Sequence, residues 1–158
     1  MSKIPMTREG FDKLQVELKQ LRAIERPAVI QAIADARALG DLSENAEYQY
    51  AREKQSFIEG RIAEIEDKLS RAEVIDTMNL LGNEIKFGAT VHLANLDTDE
   101  EVQYRIVGVD EANLEEGLIS VASPVARVLI GKTVGDTVDV RTPGGGKAYE
   151  IVSVHYGM

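Results

Sequence analysis

The sequence contains no cysteine and no tryptophan, and only 5% of its 158 residues are aromatic. Without thiols there are no disulfides, no thiol catalysis and no thiolate-bound zinc, and the composition fits a reducing compartment. With so few aromatics any core must be aliphatic, and a broad base-stacking surface is not to be expected. No apolar run approaches the ~18 residues that a membrane helix needs. The start, Met1-Ser2-Lys3-Ile4-Pro5-Met6, lacks the apolar core of a secretory signal. The expectation is a cytoplasmic protein with no membrane association. Positive charge is also in deficit, since 18 Lys and Arg face 27 Asp and Glu for a formal net charge of −9. That balance argues against autonomous binding of bare nucleic acid, which needs surplus cations.

What is present is 44% hydrophobic residues, enough for one compact domain or two small ones. The charge is unevenly spread. Residues 1–75 carry 12 basic and 14 acidic side chains, and residues 76–158 carry 6 and 13, which together return the totals of 18 and 27. The first stretch is dense in both signs and the second is sparse and acidic, so a change of architecture is expected near residue 75.

Periodicity predicts the same division. Thr7 can cap a helix in which Phe11, Leu14, Leu18 and Leu21 recur at spacings of 3 and 4. Pro27 removes a backbone donor and should kink or restart that helix. Helix resumes from Ala28 to Leu39, with Ile30 and Ile33, and Gly40 is a natural stop. A second helix is predicted from about Glu44 to Ala72, with a heptad seam of Ala51, Gln55, Ile58, Ile62, Ile65, Leu69 and Ala72. The short connection Gly40-Asp41-Leu42-Ser43 forces the two helices into an antiparallel hairpin. About 30 helical residues would reach roughly 45 Å, longer than a two-helix core requires. Residues 1–75 therefore read as an arm with its tip at residues 40–45.

After a linker at residues 76–86 the period becomes that of strands: 89–96, 102–109, 118–121, and a final hairpin of 134–141 with 148–156 around Pro143-Gly144-Gly145-Gly146. Ser123 and Pro124 open a short helix that Gly131 ends. The predicted fold class is α+β: an N-terminal antiparallel helical hairpin, then residues 76–158 as an antiparallel sheet with one short helix.

The tip holds the most chemical residues. Asp41 and Glu44 lie three apart between the helices, with Glu47 three further on. Two readings stay open. The carboxylates can cap the second helix and complement its dipole. Alternatively, presented at the end of a long rod, they can complete a Mg²⁺ site on another macromolecule, since Mg²⁺ takes one or two protein carboxylates and keeps waters. His92 and His155 have no partner motif and read as ordinary sheet positions, and the glycine run at 144–146 lacks the helix and lysine of a phosphate cradle.

The stretch Gly40-Asp41-Leu42-Ser43-Glu44-Asn45-Ala46-Glu47-Tyr48 resembles the tip motif of the bacterial transcript cleavage factors of the GreA/GreB family. Ser123-Pro124-Val125-Ala126-Arg127 and Thr142-Pro143-Gly144-Gly145 resemble motifs of the family's second domain, and Ile4-Pro5-Met6-Thr7 its start. The resemblance covers essentially the whole chain in order. It implies an FKBP-like second domain that docks on bacterial RNA polymerase, and an arm that enters the polymerase secondary channel. There the tip would stimulate the polymerase's own Mg²⁺-dependent cleavage of a backtracked RNA 3′ end. The factor would be an accessory to that reaction rather than an enzyme, and monomeric when free.

Carried over, Asp41 and Glu44 are the tip carboxylates, sharing Mg²⁺ only in the polymerase complex. Asp41 would help hold the ion and Glu44 would orient or deprotonate the water, with the division of roles open. Asn45 and Ser43 would each position substrate or cap the helix, the cap being the favoured reading of Ser43. Arg37 and Arg52 would contact RNA in the channel, or else belong to a solvated helix face. Three other functions compete: a regulator that plugs the channel without cleavage, a prolyl isomerase, which wants an aromatic-lined pocket, and a plain coiled-coil adaptor.

Overall fold

The computed structural model describes residues 2–40, 45–76, 82–142 and 145–156. The chain forms two compact units, one made of Phe11–Ala72 with the extreme N-terminus, the other of Lys3–Gly10 with the chain from Glu73 onward.

The first unit is the helical hairpin. Helix α1 (Arg8–Gln20) runs through a π-helical turn (Leu21–Glu25) into α2 (Arg26–Arg37), and α3 (Ala46–Ser70) returns. Thr7 caps α1 as its sequence position predicts, its hydroxyl accepting from the Gly10 amide at 3.1 Å. The seam is aliphatic: Leu18, Val29, Ile58, Ile62 and Ile65 are buried, with Leu14, Leu21 and Leu69 packed against them. Ile33 of the resumed helix is buried, whereas Ile30 is 52% exposed. Ala72 falls outside the helix, which ends at Ser70.

The π turn answers a mismatch in the sequence. Leu21 and Val29 both join the seam but are eight residues apart, one more than a heptad. At 3.6 residues per turn, eight residues overshoot two full turns by about 80°. A wider turn with i→i+5 bonding takes up the additional residue and returns Val29 to the seam. The Arg26 amide accordingly donates to the Leu21 carbonyl, five residues back. Pro27, which has no amide to donate, sits in the first turn of α2. The restart predicted at Pro27 thus takes the form of an inserted residue.

Ion pairs join the two legs. Arg61 reaches both carboxylate oxygens of Glu17 at 2.6 and 2.8 Å, Arg26 both of Glu59 at 2.8 and 2.6 Å, and Arg22 meets Glu66 at 3.1 Å. Hydrogen bonding from Arg61 holds the Glu17 carboxyl below its ordinary range. Exposed pairs of this kind are worth about 0–1 kcal/mol each, so they select the pairing of the legs more than they stabilise it.

In the second unit a five-stranded sheet runs in the order β5-β4-β3-β7-β6, from β3 (Thr90–Asn95), β4 (Glu101–Val107), β5 (Leu118–Ser120), β6 (Thr137–Thr142) and β7 (Gly145–His155). Helix α4 (Pro124–Leu129) is capped by Ser123, whose hydroxyl accepts from the Ala126 amide at 3.2 Å. The core joins Val91, Leu93, Ile106, Ile119, Leu129, Val140 and Ile151. A bulge between His92 and Leu93 shifts the register against β7. It explains why both Ile151 and Val154, three apart, face inward.

Three features depart from the sequence reading. The sheet is mixed, because β5 pairs parallel to β4 (Ile106 opposite Ile119). Two 3₁₀ turns in their connection, Val109–Glu111 and Leu114–Glu116, carry the chain back to the end of the sheet from which β4 starts. A short two-stranded sheet also exists, β1 (Ile4–Thr7) with β2 (Ala72–Ile75). Finally, the end of the segment read as linker is packed. Ile85 is fully buried and exchanges backbone bonds with Lys132 and Gly131 at 2.8 and 2.9 Å. The Tyr156 hydroxyl ties Lys86 and Glu84 beside it, accepting from the Lys86 amide and donating to the Glu84 carbonyl.

One carboxylate fastens the N-terminal strand. Glu111 Oε2 accepts from the amides of Thr7 and Gly108 at 3.1 and 2.9 Å, and Oε1 accepts from the buried Thr7 hydroxyl. Two glycines leave room for it. A Cβ on Gly10 would lie 2.3 Å from Glu111 Cδ, and one on Gly108 would lie 2.6 Å from the Pro5 carbonyl.

Candidate functional site

The distal end of the hairpin is assembled from the last turn of α2 and the first turn of α3. Helix α2 loosens through Ala38 and Leu39, where the Leu39 amide reaches the Ala36 carbonyl at 3.1 Å. Gly40 then takes φ +117°, a left-handed conformation that side chains rarely adopt, which is why a glycine can stop the helix here. Asp41, Leu42, Ser43 and Glu44 lie outside the described residues. The chain is described again at Asn45.

Asn45 is the N-cap of α3. Its Oδ1 accepts from the Tyr48 amide at 3.1 Å, while its Nδ2 donates to the Ala36 carbonyl at 2.7 Å. One side chain thereby starts one helix and fastens the end of the other. The N-cap of the second helix is therefore Asn45 rather than Ser43, which the sequence reading offers for that role. An asparagine amide can accept and donate at once, whereas a serine hydroxyl is too short to bridge two helices. Asn45→Ala should cost the hairpin about 1–2 kcal/mol, the usual value of a lost cap plus a lost tie. Urea unfolding followed at the helical circular dichroism band checks it. Asn45→Asp keeps the acceptor but cannot donate, so it should recover less than half of that loss.

Arg37 and Arg52, from opposite helices, both reach Tyr48. Each guanidinium carbon stands 5.9 Å from the centroid of the Tyr48 ring, within the range of a cation–π contact. Arg52 Nη1 also donates to the Tyr48 hydroxyl at 3.1 Å. Hydrogen bonding from Arg37, followed by that from Arg52, pulls the phenol below its ordinary value of 10.0 against the opposing effect of burial. The sequence marks Tyr48 only as part of the tip motif. The available signal was its i,i+4 spacing to Arg52 at the start of a helix.

Carboxylate oxygens are the donors Mg²⁺ prefers, and the ion accepts one or two of them with waters completing its shell. The Asp41–Glu44 pair has that chemistry. Among the described residues no group of three or more His, Asp or Glu could hold a metal ion. Nor, among them, is any helix long and apolar enough to cross a membrane.

In the second unit an open cavity of about 740 Å³ lies between β4 and the 3₁₀ turns, and Tyr104 is the one phenyl-type ring among its lining residues. It offers little of the aromatic enclosure that an isomerase would use. His92 pairs across the sheet with Ser153 at 3.2 Å, an ordinary cross-strand contact.

Both halves of the chain match known families. A family model described as "Transcription elongation factor, N-terminal" matches residues 4–74, and one described as "Transcription elongation factor, GreA/GreB, C-term" matches residues 80–156. The transcription elongation factor GreA of Paracoccus denitrificans is 64% identical over 156 residues, covering 99% of each chain. That of Ruegeria pomeroyi is 63% identical over 156 residues, again with 99% of each covered. Among solved structures, Thermus aquaticus Gfh1 is 28% identical with a TM-score of 0.45, covering 98% of this chain and 99% of that one.

The two units, in this order, are those of a transcription elongation factor. The chain belongs to the GreA/GreB family of such factors.

Proposed function

We propose that this protein inserts its helical hairpin into the secondary channel of bacterial RNA polymerase and stimulates the polymerase's own hydrolysis of backtracked RNA. The observation that carries the reading is the construction of the hairpin's end. Asn45 locks the two helices together one residue from Glu44, and a pair of arginines from opposite legs meets at Tyr48, within about two turns of it. Helix α3 alone, at 25 residues, spans roughly 37 Å, long enough to present the tip far from the arm's base. Along the shaft Glu17, Glu59 and Glu66 are paired with arginines of the facing leg.

In this reading Asp41 contributes a carboxylate ligand, and Glu44 orients the attacking water or takes its proton. A magnesium ion shared with the polymerase would act as a Lewis acid, lowering the pKa of that water. The water oxygen bonds to phosphorus and the bond to the 3′ oxygen breaks. The retained RNA ends in a 3′-hydroxyl, and the released fragment carries the phosphate. Arg37 and Arg52 bind phosphates of the extruded RNA. The factor has no turnover of its own, and it works in the cytoplasm with the polymerase.

The test adds the full-length protein to an artificially backtracked elongation complex in Mg²⁺ and follows labelled RNA on a gel. Short 3′ fragments followed by resumed elongation are expected. Slower elongation without fragments would overturn the cleavage reading in favour of a channel plug.

A further inference from the structure

We infer that Tyr48 is a positioning residue, holding Arg37 and Arg52 as one cationic pair for the RNA that the arm meets. The inference rests on the cleavage-factor reading and adds to it a residue with no charge of its own.

The two guanidinium groups come from different helices, and like charges gathered at one side chain repel. The shared ring offsets that repulsion. Its face attracts both cations, each 5.9 Å from the centroid, and its oxygen accepts from Arg52 at 3.1 Å. The backbone that carries the ring is fixed, because Asn45 holds the Tyr48 amide and, through the Ala36 carbonyl, the end of the facing helix. The lowered phenol value reports the same two neighbours.

The partner chosen also matters. Arg22, Arg26, Arg61 and Arg71 of the same unit reach carboxylates, which occupy the donor edges of a guanidinium. An aromatic face holds the group while leaving most of the donor fork to a phosphate. Arg37 and Arg52 are both exposed, so the edges can be reached.

The experiment compares the affinity of the full chain for two polymerase elongation complexes, one backtracked with extruded RNA and one not, alongside cleavage of the first. Tyr48→Leu should lower the preference for the backtracked complex about ten-fold, and Tyr48→Phe, which keeps the ring, about three-fold. Affinity for the non-backtracked complex should stay within about two-fold of wild type. In the Arg37→Ala/Arg52→Ala background, Tyr48→Leu should add nothing, because the residue acts through those arginines. An unchanged preference in Tyr48→Leu overturns the inference, as does a further three-fold fall in the double-alanine background. If wild type cleaves but Tyr48→Leu is indifferent, only this inference fails. If wild type neither cleaves nor prefers the backtracked complex, the functional reading fails with it.

Discussion

Replacing Asp41 and Glu44 together by alanine should reduce factor-dependent RNA cleavage at least about 100-fold, the scale of losing a positioned acid–base group and a metal ligand. Polymerase binding should stay within about two-fold of wild type. The two halves of that expectation have separate physical grounds. The chemistry needs carboxylate oxygens at the tip, since alanine can neither ligate Mg²⁺ nor accept a proton. The hairpin does not need them, because the cap is Asn45 and the seam is aliphatic. The helical circular dichroism signal should therefore be unchanged. The single variants Asp41→Asn and Glu44→Gln separate the roles. A lost ligand is partly rescued by raised Mg²⁺, and a lost base by raised pH. If the double variant cleaves normally, the metal-tip mechanism is wrong.

The second large effect concerns stability. Glu111→Ala removes the acceptor for the Thr7 amide, the Thr7 hydroxyl and the Gly108 amide. Thr7 is buried, so its donors would lose their partner out of reach of solvent, and the expected cost is about 2–4 kcal/mol. Amide hydrogen exchange is the sensitive measurement, with protection lost first at Thr7 and Gly108. Gly10 gives a sharper form of the same test. In the wild-type chain Gly10→Ala should destabilise, because its Cβ would stand 2.3 Å from Glu111 Cδ and drive the carboxylate off its donors. In the Glu111→Ala background that space is vacant, and the better helix propensity of alanine should stabilise by up to about 1 kcal/mol. Equal destabilisation in both backgrounds would mean that Glu111 is not the clamp.

Much of this architecture is legible in the sequence, because the features that specify it are periodic or local. The seam of Ile58, Ile62 and Ile65, the Ser123-Pro124 helix start and the Gly40 stop each announce themselves within a few residues. What escapes is non-local. Ile4–Thr7 is too short, and contains a proline, to read as a strand, and it becomes one only by meeting β2 some 70 residues later. The parallel pairing of β5 depends on how a ten-residue connection turns, which alternation does not encode. Burial of Ile85 depends on backbone partners at Gly131 and Lys132. At the tip, Arg37 and Arg52 are nominated by the resemblance of the surrounding motif, with a solvated helix face as the alternative. The ring that joins them, and the preference for Asn45 over Ser43 as cap, depend on the distance between two helices.

The π turn in the first leg has a consequence for how such arms can differ in length. A seven-residue seam tolerates an insertion or deletion only where the helix can absorb the change in phase. Here the tolerance is confined to Leu21–Glu25, none of whose residues is buried. In this arm, a one-residue change between Leu21 and Val29 is the change the packing permits. Anywhere else along the seam, the same gap would rotate one leg's apolar stripe off the other.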